Sequence, residues 1–137
     1  NNYAVVAKTI AQKNQFDLIH AHDWLTFPAA VAAKQISGKP LVIHVHSTDF
    51  DRSGGNVNPN VFAIERKGME AADKIITVSN LTRKIVIEKY GIVPEKIVTV
   101  YNAVEPIQQR KEFKFKKNKK QGNIVRTPGI RHKKRFQ

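Results

Sequence analysis

Hydrophobic and polar positions along residues 1–107 follow two patterns that alternate. Short apolar runs bounded by polar residues predict buried β-strands. They span residues 16–22, 41–47, 75–79 and 97–104. Before and between these runs, apolar residues recur at the spacing of a helix and predict α-helices. These helices are predicted over residues 3–13, 27–37, 60–72 and 81–90.

This alternation of helices and strands predicts the fold class. Apolar strands separated by helices are typical of a parallel sheet covered on both faces. Right-handed crossovers then give an α/β, doubly wound, Rossmann-like sheet, here with about four strands. The polar stretch 47–60, with Gly54-Gly55 near its middle, is predicted to be a long loop. Ligands of such sheets bind beyond the carboxyl ends of the strands.

Polar side chains with useful chemistry follow each predicted strand at this end. They are His22 and Asp23, His46 and Ser47, Ser79, and Asn102. His22 and His46 are nearest the strand ends, where an imidazole donates to a ligand hydroxyl or stabilises developing charge. For Asp23 the alternative is that it caps the following turn.

Four of the five histidines lie in two H-x-H pairs, one on each of the first two strands. Residues two apart on a strand face the same way, so His20 joins His22 and His44 joins His46. Imidazoles favour zinc, copper or nickel, and a four-histidine metal site is one interpretation. Because H-x-H is a modest signal, we predict no metal site. His20 and His44 are instead predicted to lie further inside the fold than His22 and His46 and to bond to backbone partners.

Composition changes this picture only at the C-terminal end. The net charge of +13 divides into +2 over residues 1–107 and +11 over residues 108–137, where 12 Lys/Arg face the single acid Glu112. Zero cysteines exclude disulfides and thiolate metal sites, and they suit a cytoplasmic protein. No apolar run is long enough to span a membrane.

Four segments taken together resemble a known family. HAHDW, HVHSTDFDRSG, ERKGMEAADKIITVSNLTR and GIVPEKIVTVYNAVEP are similar, in this order, to glycogen- and starch-synthase-type retaining glycosyltransferases of GT-B fold. The resemblance implies transfer of a hexosyl group, glucose in the first instance, from a nucleotide sugar such as UDP-glucose or ADP-glucose to a glucan or another acceptor. It implies no metal at the catalytic centre and no cofactor apart from this donor.

The resemblance also implies roles for individual residues. It places His22 beside the transferred sugar as a catalytic residue, accompanied by Asp23. The substrate-binding residues that it implies are His46, Ser47, Arg66, Ser79 and Asn102. Three of these positions have structural alternatives: Arg66 and its neighbour Glu65 as a solvated helix face, Ser79 as a helix N-cap, and Asn102 as a turn residue.

Two features depart from the family pattern. One is the donor site: its basic pair and its two glutamates are not identifiable in this sequence, so the chain by itself is expected to be inactive. The other is the C-terminal part, since residues 107–137 are interpreted as a basic linker or tail from a lost reading frame or a truncated gene.

Residues 1–106 are interpreted as part of the N-terminal, acceptor-side domain.

The rival hypothesis is a non-catalytic α/β binding module whose basic tail binds anionic surfaces. The sequence does not favour nucleic acid as a partner, because RNA-binding and zinc-finger patterns are absent. Self-association through an exposed sheet edge is also predicted.

Overall fold

The computed structural model describes residues 2–104 of the 137-residue chain. Helices and strands alternate along this part. The elements are α1 (Asn2–Lys13), β1 (Ile19–His22), α2 (Phe27–Ser37), β2 (Leu41–Val45), α3 (Asp49–Ser53), α4 (Pro59–Ala71), β3 (Lys74–Thr77), α5 (Asn80–Tyr90), a 3-10 turn (Pro94–Lys96) and β4 (Ile97–Thr99). The four strands and four long helices were all predicted, although each strand is shorter than its apolar run.

The strands form one parallel sheet in the order β1-β2-β3-β4. Their register pairs Ile43 of β2 with Ala21 on one side and with Ile75 on the other. The predicted α/β class with a Rossmann-like parallel sheet is therefore confirmed. Because the order steps in one direction only, these strands correspond to one half of a doubly wound sheet.

The core lies between one face of the sheet and the connecting helices. Alternate strand residues point to this face, where β2 contributes Leu41, Ile43 and Val45, each at most 1% exposed. Phe27 of α2 and Tyr90 of α5 cover them and are as deeply buried. Each buried side chain of this size contributes about 1.5–3 kcal/mol relative to leaving it in water.

The opposite face of β1 and β2 carries all four paired histidines. With right-handed crossovers between consecutive strands, α2, α4 and α5 lie on the core side, so this second face keeps partial exposure. We call the surface formed by His20, His22, His44 and His46 the histidine face. His22 is the last residue of β1 and His44 lies near the end of β2, whereas His20 lies two residues before the end of β1 and His46 follows β2 directly.

The stretch predicted as a long loop contains a short helix, α3. The N–H and the hydroxyl of Thr48 both donate to the Asp51 carboxylate, at 2.7 and 2.8 Å, which fixes the first turn. Gly54 ends the helix with φ at +63°, a conformation that favours glycine. The loop prediction was wrong here because bonds between side chains and backbone, rather than apolar periodicity, define this helix.

Several predictions fall on residues outside the described part of the chain. They are the domain boundary at residue 106, the lost reading frame, and the anion-binding tail. Within residues 2–104, none of the helices combines the length and the apolar character that a membrane crossing requires.

Candidate functional site

His22 and His46 meet at the carboxyl edge of the sheet. Nδ1 of His22 lies 3.0 Å from Nε2 of His46, a hydrogen bond between two exposed imidazoles. The parallel register causes this contact: His22 is paired with His44, so His46 stands one pleat further along on the same face. The two histidines expected to meet a ligand are thus side by side.

Asp23 joins the ends of β1 and β2. Its Oδ1 accepts from the backbone N–H of His46 at 2.9 Å, and its own N–H donates to the carbonyl of His44 at 3.0 Å. Asp23 has a φ of +58°, a left-handed conformation that asparagine and aspartate tolerate better than most residues. Its carboxylate therefore fixes the neighbouring strand, in contrast to the alternative of capping the following turn.

His20 and His44 complete the histidine face. The His20 ring is parallel to that of His44, with centroids 5.6 Å apart, and its centroid lies 4.4 Å from that of His22. Both ring nitrogens of His44 are buried, and neither has a hydrogen-bond partner in the part of the chain that the structure describes. The expectation that His20 and His44 both lie further inside and bond to backbone groups was therefore wrong: His44 has no such bond within residues 2–104, and His20 is exposed.

The pKa values of two of these histidines are lowered. Desolvation and the neighbouring imidazoles His22 and His46 lower the pKa of His20. Desolvation, followed by His46 and His22, likewise lowers the pKa of His44. Near neutral pH both rings are neutral and carry one free lone pair each.

Ser47 is held by an arginine that the sequence analysis did not assign. Nη1 of Arg52 donates to the Ser47 carbonyl at 2.8 Å and to its Oγ at 3.1 Å. Nη2 of the same side chain donates to Oε1 of Glu65 at 2.6 Å and lies 3.7 Å from Asp49. Arg52 thus connects the end of β2 to α4, and its position depends on the unpredicted helix α3.

Glu65 is the buried centre of this network. It is 1% exposed, and its Oε2 accepts from the N–H of Asp49 at 3.2 Å and from the hydroxyl of Tyr90. Desolvation and the Glu65 carboxylate raise the pKa of Tyr90, which remains a hydrogen-bond donor. The alternative that Glu65 belongs to a solvated helix face is therefore wrong.

The other three predicted site residues have separate surroundings. Arg66 is exposed and its Nε donates to Glu70 at 2.8 Å, one turn along α4. Ser79 is the N-cap of α5, and its Oγ accepts from the N–H of Thr82 at 3.0 Å. Asn102 is exposed in the segment after β4. Within residues 2–104, none of the three is hydrogen-bonded to the His22–His46 pair.

Comparison with known proteins identifies the lineage. A family model described as Glycosyltransferase Family 4 matches residues 2–108, which is well over half of the chain. The chain belongs to glycosyltransferase family 4. The resemblance seen in the four sequence segments is confirmed by this match.

Individual relatives agree with the family match. An uncharacterized glycosyltransferase of Methanocaldococcus jannaschii is 29% identical over 96 residues, which are 68% of this chain and 25% of that protein. An uncharacterized glycosyltransferase of Bacillus subtilis is 34% identical over 86 residues, 61% of this chain and 24% of that protein. Glycogen synthase of Mycobacterium tuberculosis is 30% identical over 93 residues, 65% of this chain and 22% of that protein. The chain spans about a quarter of the length of these relatives.

Proposed function

We propose that this family 4 chain supplies the acceptor-side part of a retaining hexosyltransferase. The donor is a nucleotide sugar such as UDP-glucose or ADP-glucose, and the acceptor is a glucan or another carbohydrate. The observation that carries the proposal is the contact between His22 and His46 at the carboxyl edge of the parallel sheet. Ligands of such sheets bind at this edge.

His22 is proposed to contact the transferred sugar. Its Nδ1 is engaged with His46, which leaves Nε2 available to a sugar hydroxyl or to developing charge. Asp23 acts as a positioning residue, because its carboxylate fixes the backbone of His46 and thereby the partner of His22. His46 itself fixes the orientation of the His22 ring.

Ser47 is proposed to bind the acceptor. Its Oγ accepts from Arg52, which leaves the hydroxyl hydrogen free to donate to an oxygen of a sugar or phosphate. The guanidinium of Arg52 also places positive charge beside this hydroxyl, although Glu65 and Asp49 share that charge. Because two carboxylates offset this charge, a neutral carbohydrate is expected to bind here more tightly than a sugar phosphate.

Three further residues are proposed to bind substrate on the family match alone. Arg66, Ser79 and Asn102 lie within the matched residues 2–108, and their contacts within residues 2–104 are local. Cytoplasmic localisation is proposed from the lack of cysteine. Self-association is proposed at β1 and β4, the two edges of the sheet.

The first experiment measures carbohydrate binding by calorimetry. The folded chain is titrated with malto-oligosaccharide and with glucose phosphates, and His22→Ala is compared with His132→Ala, which removes the fifth histidine instead. The proposal predicts saturable binding that weakens at least about tenfold in His22→Ala and is unchanged in His132→Ala. No carbohydrate binding, or an equal loss in both variants, would contradict it.

A second experiment concerns transfer by the chain itself. We propose that the 137-residue chain does not transfer glucose by itself, because the family's donor-site residues are not identifiable in it. Radiolabelled UDP-glucose and ADP-glucose are incubated with the chain and a glucan acceptor. Incorporation that disappears in His22→Ala would show that the chain has a working donor site and would refute the proposed inactivity.

A further inference from the structure

A guanidinium lies directly beside the hydroxyl of Ser47. Nη1 of Arg52 donates to Oγ of Ser47 at 3.1 Å and to the Ser47 carbonyl at 2.8 Å. The Arg52 side chain is 33% exposed, so a ligand that binds at Ser47 can reach it. A planar guanidinium carries five N–H donors, and this arrangement matches the oxygens of a phosphate group. By its donor chemistry alone, this position suits an anionic ligand.

Two carboxylates oppose this single positive charge. Oε1 of Glu65 accepts from Nη2 of Arg52 at 2.6 Å, and Oδ1 of Asp49 lies 3.7 Å from the same nitrogen. The three side chains together therefore have a net negative formal charge. Such a cluster repels a phosphate group, whereas the hydroxyl of a sugar carries no charge and is not repelled.

Glu65 is the stronger of the two opposing groups. Its side chain is 2% exposed, so water and salt screen its charge little, and it bonds to Arg52 directly. Its other oxygen, Oε2, accepts from the N–H of Asp49 at 3.2 Å and from the hydroxyl of Tyr90, and these bonds fix its position. Asp49 is more exposed, and its Oδ2 accepts from the backbone N–H of Asn58 at 2.7 Å. Glu65 therefore has the greater effect on the charge that a ligand meets.

We propose that Glu65 determines the charge class of the acceptor that binds at Ser47. Glu65 acts through Arg52: paired with this carboxylate, the guanidinium leaves the site open to neutral carbohydrate and closed to phosphorylated carbohydrate. Without the negative charge of Glu65, Arg52 becomes a phosphate-binding residue. This role of Glu65 rests on the acceptor-binding function proposed for Ser47, and it identifies the residue that sets the preference for a neutral acceptor.

Inorganic phosphate is the probe for this charge effect, because it carries the charge without a sugar. The unsubstituted chain and Glu65→Gln are each titrated with phosphate and with malto-oligosaccharide by calorimetry. Glu65→Gln keeps the size of the side chain and an acceptor oxygen for Arg52, while it removes the charge. Glu70→Gln is the matched control, because it removes one charge from an exposed position of the same helix.

The expected result is a change of preference in one variant only. Phosphate should bind to Glu65→Gln at least about tenfold more tightly than to the unsubstituted chain, because a negative charge in contact with Arg52 is removed. In Glu70→Gln the affinity for phosphate should stay within about twofold, since salt screens an exposed charge. The affinity for malto-oligosaccharide should stay within about twofold in both variants, because a neutral ligand responds little to this charge.

Two further variants assign the effect to Arg52. Adding Arg52→Gln to Glu65→Gln should abolish the gain in phosphate affinity, because the guanidinium is then absent. Asp49→Asn removes the charge of the second carboxylate and should raise the phosphate affinity about threefold. Circular dichroism checks that each variant folds, and Asp49→Asn carries the test if Glu65→Gln does not fold.

Three results would overturn this role of Glu65. They are an unchanged phosphate affinity in Glu65→Gln, an equal gain in Glu70→Gln, and a gain that persists when Arg52 is also replaced. Failure of the proposed function gives a different result: no form of the chain binds malto-oligosaccharide, while Glu65→Gln still gains phosphate affinity. That outcome would support the control of anion binding by Glu65 and contradict the binding of carbohydrate at Ser47.

Discussion

The carboxylate of Asp23 accepts a hydrogen bond from the backbone N–H of His46 at 2.9 Å, and this bond joins the carboxyl ends of β1 and β2. It fixes the segment that carries His46, whose ring contacts His22. The left-handed backbone of Asp23 brings the carboxylate to this position at the point where β1 ends. The histidine pair is therefore held by an aspartate that belongs to neither strand's interior.

Replacing Asp23 separates the effect of this hydrogen bond from that of the backbone. Asp23→Asn keeps an acceptor and tolerates a positive φ, so we expect a loss of at most about 0.5 kcal/mol in the free energy of unfolding. Asp23→Gly removes the acceptor without straining the backbone, and the free energy of unfolding should fall by about 1–2 kcal/mol. In Asp23→Ala it should fall by about 1 kcal/mol more, because alanine is strained at a positive φ. Urea denaturation measures all three, with the exposed Asp17→Ala as control. Equal stability of the Gly and Ala variants would contradict the strain at this position.

Glu65 and Glu70 lie on the same helix and provide a matched pair. Glu65→Ala removes the buried acceptor of Tyr90 and Arg52, and we expect the free energy of unfolding to fall by about 3 kcal/mol. Glu70→Ala breaks only an exposed ion pair with Arg66, so the free energy of unfolding should change by no more than about 0.5 kcal/mol. Chemical denaturation of both variants checks this, and similar losses would show that burial of Glu65 does not matter.

Gly68 of α4 packs directly against Phe27 of α2. A Cβ added there would lie 2.6 Å from Cδ2 and 2.7 Å from Cβ of Phe27, which is 1% exposed. Gly68→Ala should therefore destabilise the fold by about 1–3 kcal/mol, despite a gain of about 1 kcal/mol in helix propensity. Lys67→Ala, an exposed neighbour on α4, is the control for propensity. A more stable Gly68→Ala protein would mean that the two helices separate easily.

The lowered pKa of the Asp73 carboxyl group makes the stability of the fold depend on pH. Oδ2 of Asp73 accepts a hydrogen bond from the backbone N–H of Leu41 at 2.7 Å and another from Nζ of Lys34 at 2.8 Å. These bonds lower the pKa of Asp73 below its ordinary value of 3.8. A carboxyl group whose pKa is lowered in the folded state stabilises the protein above the ordinary value. This stabilisation is lost as the pH falls through the folded-state value.

The variant Asp73→Asn tests this pH dependence. The carboxylate is about half exposed, so the loss in the variant should be modest, about 0.5 kcal/mol near neutral pH. The difference from the unsubstituted chain should shrink at about pH 3, where the carboxyl group of the unfolded chain is protonated. Urea denaturation at both pH values measures it, and a difference that grows on acidification would contradict the sign.

Much of the fold and part of the site could be predicted from the sequence. Hydrophobic periodicity located the four strands and four long helices of residues 2–104, and parallel topology placed His22 and His46 at the same edge of the sheet. Their direct contact was not predicted. The ends of α2 and α5 were also predicted, because a glycine follows each helix. Gly38 and Gly91 adopt the left-handed conformation that ends a helix.

The remaining features depend on contacts between distant segments. Glu65 was assigned to a polar helix face as an alternative, since its partner Arg52 lies on α3, a helix without apolar periodicity. The His44 ring lacks a hydrogen-bond partner among residues 2–104, and this depends on which face of the sheet the helices cover. Local patterns in a sequence do not determine which face that is. Burial of Glu65 follows from its partners Tyr90 and Arg52, which are distant from it in the sequence.

Side-chain NMR can show whether a carbohydrate binds where His22 and His46 meet. The imidazole resonances of the chain are assigned with single His→Gln variants and followed during titration with malto-oligosaccharide. We expect saturable shifts of the His22 and His46 resonances and no shift of the His132 resonances. Shifts confined to His132, or no shift at His22 while the sugar binds, would contradict binding at this position.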